Sequence, residues 1–482
     1  MSAQRRAKIV CTLGPATASA ERIGQLIDAG MNVARLNLSH GERDQHMQLL
    51  ENVRSESRRR GAYVAILADL QGPKIRLGKL TEGEHLLRDG ASFVITTDEI
   101  VGDSSRASTT YKGLPKDCAA GDILLIDDGK VSLQISKISG NEIFTVVRNG
   151  GPISSSKGIN APGSSLSVPA LSEKDLMDLE WALNVGVDLV ALSFVRSGSD
   201  VAGVHAVMDR LGVRVPVIAK IEKPQAVTNL DEIVAAFDGL MVARGDLGVE
   251  LPIEEVPLVQ KRCITAAREN AKPVIVATQM LDSMINQPTP TRAEATDCAN
   301  AILDGADTLM LSGETSVGKF PIEAVSTMSR IIAKTEEKAL GDVAQLRHNP
   351  HTKSGAITKA AAEVGAVVGA RFLVAFTQSG DSARRMSRLR SVIPILALTP
   401  EESTAHQLAL SWGVEPIVIP PAKHTDEMVK QIDSSLLDTG RASVGEHIVI
   451  VAGSPPGIPG STNAMRVHRI GDAVAGIAPA YR

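Results

Sequence analysis

The apolar positions of this chain fall into short aliphatic runs separated by longer stretches of mixed character. Eight such runs are AKIVCTLG (7–14), NVARLNLS (32–39), YVAILADL (63–70), VDLVALSFV (187–195), VRVPVIAKIE (213–222), DGLMVARGD (238–246), KPVIVATQM (272–280) and ADTLMLSG (306–313). Runs this short and this aliphatic predict strands buried on both faces, as parallel sheets require. The intervening stretches, among them SAERIGQLIDAG, SEKDLMDLEWALNVG, KPQAVTNLDEIVAAF and TRAEATDCANAILDG, carry apolar residues at helical spacing. Several open on Ser or Thr with Glu close behind, and several close on Gly, the residue types that satisfy free backbone groups at helix ends.

Successive runs mostly start about 23–35 residues apart, the length of one βα unit. One interval breaks the rhythm: Tyr63 to Val187 is about 124 residues, which leaves an insertion of about 95 after one ordinary unit is removed. The inserted stretch, 71–165, reads as short β pieces with turn signals, such as ASFVITT and GDILLIDDGKVSLQISKISGNEIFTVVRNGG. The expected architecture is therefore α/β: a (β/α)8 barrel from 1–70 and 166–343, interrupted after its third strand by a small β-barrel lid. A second alternating series, RFLVAFTQS, VIPILALT, VEPIVIP and EHIVIVAGS, predicts a C-terminal doubly wound α/β domain over 344–482. The polar segment RHNPHTKSG (347–355) is the expected linker.

Composition narrows the class. The chain has 482 residues, 43% hydrophobic and 22% charged, enough apolar content for packed cores in roughly three domains. A net charge of −4 argues against a general nucleic-acid binder, and seven Phe, three Tyr and two Trp are too few for base-stacking platforms. Cys11, Cys118, Cys263 and Cys298 form no CxxC pair, which excludes zinc ribbons and thioredoxin chemistry and fits a reducing compartment. No signal peptide and no membrane-spanning run is visible, so the expectation is a soluble cytoplasmic enzyme.

In such a barrel, chemistry gathers where strands end. The ends here carry Arg35, Asn37, Ser39 and His40; Asp69; Lys220 and Glu222; Arg244, Gly245 and Asp246; Thr278 and Gln279; Ser312 and Glu314. Glu222 and Asp246 come from neighbouring strands and suit a hard ion, Mg2+ or Mn2+, better than zinc. The alternative is an internal ion-pair network with Lys220 and Arg244. Lys220 and Glu222, two apart, face one side of their strand, and fixed cations beside a metal ligand are what a migrating phosphoryl group requires. Arg35 adds a second cation, or else bridges to Asp69. Gly245-Asp246-Leu247-Gly248 offers close backbone approach and free N–H groups to an anion, or is an ordinary βα turn. GETSVGKF (313–320) imitates a P-loop, but Phe320 stands where the metal-binding hydroxyl belongs. Asn37-Leu38-Ser39 matches a glycosylation sequon without a secretion signal to give it meaning.

These strand ends resemble the pyruvate kinase family, bacterial type. The matching motifs are KIVCTLGPA (8–16), GMNVARLNLSHG (30–41), ADLQGPKIR (68–76), KGINAPG (157–163), SEKD (172–175), AKIEKPQ (219–225), VARGDLGVE (242–250), ATQMLDSM (277–284) and LSGETSVGKFP (311–321), with TQSGDSARRMSRLR (377–390) and GSTNAMRV (460–467) in the C-terminal part. The resemblance implies transfer of a phosphoryl group from phosphoenolpyruvate to ADP, the last step of glycolysis, by a homotetramer. It implies that Glu222 and Asp246 hold Mg2+, Lys220 stabilises the phosphoryl in flight, Arg35 binds substrate phosphate and the Gly245–Asp246 backbone its carboxylate. Thr278, Ser312 and Glu314, with ordered water, would lie near the enolate carbon. Asn37, Arg76 and Lys157 would bind the nucleotide, which brings a second Mg2+, and the insertion would close as a lid.

Many relatives also bind K+ through residues matching Asn37, Ser39, Asp69 and the Leu70 carbonyl, and read DTKGPEIRT where this chain reads Asp69-Leu70-Gln71-Gly72-Pro73-Lys74-Ile75-Arg76-Leu77. Lys74 replaces a glutamate and supplies a tethered charge, the pattern of a K+-independent enzyme. In the C-terminal domain Thr377, Ser379 and Ser382, with Arg384 and Arg385 beyond, match a turn that takes an effector phosphate. Gln378 lacks charge, however, and Gly453-Ser454-Pro455-Pro456-Gly457 lacks the aromatic and arginine found where fructose 1,6-bisphosphate binds. Two rival readings remain: a Mg2+-dependent aldolase or lyase, which explains neither the insertion nor Lys157, and a non-catalytic relative, which predicts loss of Lys220, Glu222, Asp246 or Thr278.

Overall fold

The computed structural model describes residues 5–83, 85–164, 167–344, 346, 350–454 and 460–473. Each of the eight aliphatic runs supplies one strand: β1 (Lys8–Thr12), β2 (Val33–Asn37), β3 (Ala65–Asp69), β4 (Leu189–Leu192), β5 (Val217–Ile221), β6 (Gly239–Ala243), β7 (Val274–Ala277) and β8 (Thr308–Leu311). They pair in parallel and in sequence order into a closed barrel, sealed where Lys8 of β1 meets Thr308 of β8. β3 pairs with β4 (Leu67 with Leu189) although the insertion separates them in sequence.

Period-two alternation sorts each strand. Val10, Val33, Leu67, Leu189, Ile218, Met241, Ile275 and Met310 fill the barrel interior, while their neighbours Ile9, Ala34, Ile66, Val190, Ala219, Val242, Val276 and Leu309 pack outward against the helices. Two residues beyond the inward set the interior turns polar. Thr12, Arg35, Asp69, Ser193, Lys220 and Ser312 follow Val10, Val33, Leu67, Ala191, Ile218 and Met310 at that step, so a layer of hydrogen-bonding and charged side chains caps an aliphatic plug.

The insertion has its own core of Phe93, Ile95, Leu124, Ile126, Val131, Leu133, Ile143 and Val147. Six strands form its main sheet in the order Ile159–Asn160, Ile123–Ile126, Val131–Ser139, Glu142–Asn149, Ser92–Thr96, Arg106–Ser108. Its two edges meet in a neck: Arg76 bridges Gly158, Leu77 N donates to Lys157 O (2.8 Å) and Ile159 N to Ile75 O (2.9 Å). The expected boundary at 165–166 lies outside the described residues, as do residues 347–349 of the expected linker.

The C-terminal sheet runs β11 (Val414–Val418), β10 (Ile395–Thr399), β9 (Phe372–Phe376), β12 (His447–Gly453), β13 (Thr462–Arg469). Helices cover both faces, as a doubly wound domain requires. The helix Thr425–Asp438 packs on one side through Met428, Val429, Ile432 and Leu436, and the helix Lys353–Val368 on the other through Ala361. β13, antiparallel at the edge, is not among the four strands the pattern predicts. The base of the barrel is stitched to this domain by Lys8 Nζ donating to Val414 O (2.8 Å), Thr308 Oγ1 to Leu410 O (2.9 Å) and Trp412 Nε1 to Glu336 Oε1 (2.9 Å). Among the described residues, no helix is long and apolar enough to cross a membrane.

Candidate active site

The polar layer at the mouth is a connected network. Arg35 Nε donates to Asp69 Oδ2 (2.7 Å) and its Nη1 to Thr12 Oγ1 (2.9 Å). Lys220 Nζ sits 2.9 Å from Glu222 Oε1 and 3.4 Å from Asp69 Oδ1, and donates to Ser193 Oγ at 2.7 Å. Asp69 and Glu222 are each 1% exposed, so these charges are held away from water. Burial alone would raise the Asp69 carboxyl, but the Lys220 ammonium and the Arg35 guanidinium outweigh it and hold it below its ordinary value. Burial likewise opposes the Lys220 ammonium, yet Asp69 and Glu222 hold it above its ordinary value.

Asp246 follows β6 in the first turn of the helix Arg244–Glu250. Burial and then the Glu222 carboxylate push Asp246 up to about 6, while Lys220 and Lys74 pull the other way. A buried carboxyl raised by a neighbouring carboxylate is the electrostatic condition that a divalent cation relieves. Glu222 keeps its second oxygen fixed by the Phe194 N–H (2.7 Å), and an ionised carboxylate retains lone pairs beyond those two contacts. The donors are hard oxygens, which fit Mg2+ or Mn2+. No group of three or more His, Cys, Asp or Glu side chains converges among the described residues, so the protein side chains that would hold such an ion are these two.

Thr278 lies just beyond β7 with φ +68°, and Gln279 follows at +53°. A β-branched residue in the left-handed region is held there only by its surroundings. Thr278 Oγ1 accepts from Gly245 N (2.7 Å) and donates to Ala277 O (2.7 Å), so its hydroxyl stands at the Gly245–Asp246 turn. Glu314, 2% exposed and pushed upward by burial, accepts from Ser312 N (2.7 Å) and Leu281 N (3.1 Å). It ties the end of β8 to the loop after β7.

The remaining strand-end residues divide. Asn37 Oδ1 accepts from Ser39 N (3.3 Å) and Asn37 is in register with Asp69. The Leu70 carbonyl accepts from Ser193 Oγ (2.7 Å). Lys74 is exposed; its Cε lies 3.2 Å from where a Cβ on Gly158 would stand, and its charge is felt at Asp246. Arg244, one alternative partner for the acids, faces away: its guanidinium binds Asp297 (2.8 Å) and Thr278 O (2.8 Å). On the insertion, Arg76 Nη1 donates to Ser156 O (3.0 Å) and Lys157 Nζ to Asp127 Oδ1 (2.9 Å), and the neck sets the two side by side. Sequence reasoning missed Thr12 and Ser193, although both lie in the aliphatic runs at inward steps, and it assigned no part to Asn160, Lys223 and Glu250, although each lies within a quoted motif (157–163, 219–225 and 242–250).

The family model "Pyruvate kinase, barrel domain" matches residues 4–325, and "Pyruvate kinase, alpha/beta domain" matches residues 355–468. The chain belongs to the pyruvate kinase family. It is similar to the pyruvate kinase of Mycobacterium tuberculosis (57% identical, covering 97% of this chain and 99% of that one) and to that of Geobacillus stearothermophilus (43%, covering 98% and 81%). Among solved structures it is similar to a pyruvate kinase from Cryptosporidium parvum, with TM-score 0.90 at 36% identity, covering 97% and 96% of the two chains. As a pyruvate kinase family member the chain is an enzyme, a phosphotransferase with small-molecule substrates, and the rival lyase and non-catalytic readings fall away.

Proposed function

We propose that the chain transfers the phosphoryl group of phosphoenolpyruvate to ADP, giving pyruvate and ATP. The observation that carries this reading is Lys220, a permanently charged ammonium locked between Asp69 and Glu222 at the barrel mouth, with Arg35 in the same network. A transferring phosphoryl group spreads negative charge over its equatorial oxygens, and preorganised cations stabilise it at no cost of rearrangement. Arg35 binds the substrate phosphate. The Gly245–Asp246 turn and the Thr278 hydroxyl receive the substrate carboxylate end. Glu222 and Asp246 would hold Mg2+ (or Mn2+), which when bound supplies positive charge to the anionic oxygens of the substrate. Thr278 and Ser312, the latter held by Glu314, line the side on which the enolate carbon takes up its proton. Arg76 and Lys157 clamp the ADP phosphates from the insertion, which excludes water on closing, and Asn37 completes the nucleotide side.

The chain works without K+ on this reading. The Asp69 carboxylate is met by Arg35 and Lys220, the Leu70 carbonyl by Ser193, and Lys74 brings a tethered cation to the mouth. In the C-terminal domain a cavity of about 220 Å3 is lined by Thr377, Gln378, Ser379 and Ser382. Arg384 donates to Ser379 O (3.0 Å) and Arg385 pairs with Asp381 (2.7 Å), so an effector phosphate is received by hydroxyls and backbone rather than by free cations. Residues 455–457 of the predicted effector loop lie outside the described residues. A cytoplasmic homotetramer completes the proposal. A lactate-dehydrogenase-coupled assay with phosphoenolpyruvate, ADP and Mg2+ tests it, and absence of phosphoenolpyruvate-dependent turnover refutes it.

A further inference from the structure

We propose that Asn160, Glu250 and Lys223 form a latch that couples closure of the insertion to the two carboxylates at the barrel mouth. Asn160 and Glu250 are thereby positioning residues for the nucleotide half of the reaction, and this rests on the phosphoryl-transfer reading above.

Asn160 ends the returning strand Ile159–Asn160 of the insertion, three residues after Lys157. Its Nδ2 donates to Glu250 Oε1 at 2.8 Å, and the same oxygen accepts from Lys223 Nζ at 2.6 Å. The Glu250 side chain is 2% exposed and that of Lys223 15%. In a carboxylate this buried, a lost contact is not replaced by solvent, so both the Lys223 ion pair and the Asn160 hydrogen bond count. One contact comes from the barrel and the other from the insertion, so the carboxylate is provided for when the insertion is down.

The barrel side of the latch reaches both acids. Glu250 closes the helix that begins at Arg244 and carries Asp246 one turn earlier. Lys223 directly follows Glu222, and its ammonium lies 5.5 Å from the centroid of the Phe194 ring. Phe194 in turn holds Glu222 Oε2 through its N–H, with φ +55°. The path from Lys157 to Glu222 and Asp246 is therefore continuous packing and hydrogen bonding. Lowering the insertion sets Arg76 and Lys157 for ADP while it fixes the backbone that carries the acids.

Steady-state kinetics of the full chain, varying ADP and phosphoenolpyruvate separately at saturating Mg2+, test the latch. Asn160→Ala removes only the contact from the insertion. It is expected to raise KM for ADP roughly ten-fold, the scale of one hydrogen bond to a charged group, with KM for phosphoenolpyruvate within about two-fold of wild type. Asn160→Asp sets two carboxylates together and is expected to lose more. Glu250→Gln added to Asn160→Asp is expected to recover most of that loss, because the amide introduced on the barrel side then donates to the carboxylate introduced on the insertion; a merely structural role predicts additive damage instead. The latch is overturned if both Asn160 variants match wild type, if KM rises equally for the two substrates, or if the double variant is worse than either single one. Should wild type show no phosphoenolpyruvate-dependent turnover, the proposed function fails on its own. Hydrogen exchange at residues 157–160 then decides the latch, with faster exchange in Asn160→Ala supporting it and unchanged exchange overturning it.

Discussion

Lys220 carries its charge where water gives it no help, and two carboxylates supply what solvent does not. At neutral pH it is a fixed cation rather than a proton donor. Lys220→Ala is expected to lower kcat on the order of 10^3-fold with a smaller change in KM for phosphoenolpyruvate, because the lost interaction matters most when charge spreads in the transition state; wild-type kcat in the variant would remove the residue from the mechanism. Lys74 invites the complementary experiment. Activity within about two-fold with and without K+ is expected of wild type, and a K+ requirement is expected of Lys74→Glu, since the charge at position 74, which pulls the Asp246 carboxyl down, is then reversed. Coupled assays in K+-free buffer read both. At this scale the sequence is informative wherever strand period decides direction. Arg35, Asp69, Lys220 and Glu222 are legible because each sits an even step from a buried aliphatic residue. For Arg35 the two alternatives coincide, since it bridges Asp69 and stands in the mouth. Arg244 is no partner for the acids because it stands one step after Ala243, which puts its side chain on the outer side, toward Asp297.

The strands announce themselves because parallel strands covered on both faces are nearly all aliphatic. β13 does not: Thr462–Arg469 is an antiparallel edge in which five polar residues break up Ala464, Met465 and Val467, so it shows no continuous run. Loop ends are less legible still, because their geometry is imposed from outside. Thr278 is the clearest case. Its positive φ is unfavourable for a β-branched residue, and its hydroxyl satisfies the Gly245 N–H. Thr278→Ser keeps the hydroxyl and is expected to retain activity within a few-fold. Thr278→Ala orphans that N–H and is expected to lose about 10^2-fold in kcat/KM. Gly72, at φ +72°, bears on the same machinery from the other rim. A Cβ there would stand 2.6 Å from the Phe194 ring, and Phe194 holds Glu222. Gly72→Ala is therefore expected to raise the Mg2+ concentration needed for half-maximal activity, measured by Mg2+ titration, without touching any substrate residue.

At the scale of the molecule, Lys8 ties the barrel base to the C-terminal sheet at a price in protonation. Burial first, then the neighbouring Arg5, pull its ammonium down to about 8. Between pH 8 and the unfolded value near about 10.4 the unfolded chain binds more protons than the folded one, so this group makes stability rise with pH. Wild type is expected to gain on Lys8→Met by roughly 2 kcal/mol between about pH 8 and pH 10, read as the difference between their melting temperatures at each pH; a constant difference would show that Lys8 does not titrate there.

The pairing of β3 with β4 across the insertion also sets a problem in the order of assembly. Their ends are separated by about 120 residues of chain, the longest closure between successive strands of the barrel wall. Once the insertion has collapsed on its own core and zipped Ile75 to Ile159, the free chain between them shortens to about 40 residues, which lowers the entropy of closure by about 1 kcal/mol. The cover thus works as a clothes-peg during refolding, bringing the two staves of the wall within reach of each other. Loosening the neck should slow the final closure of the barrel several-fold while leaving its unfolding rate nearly unchanged.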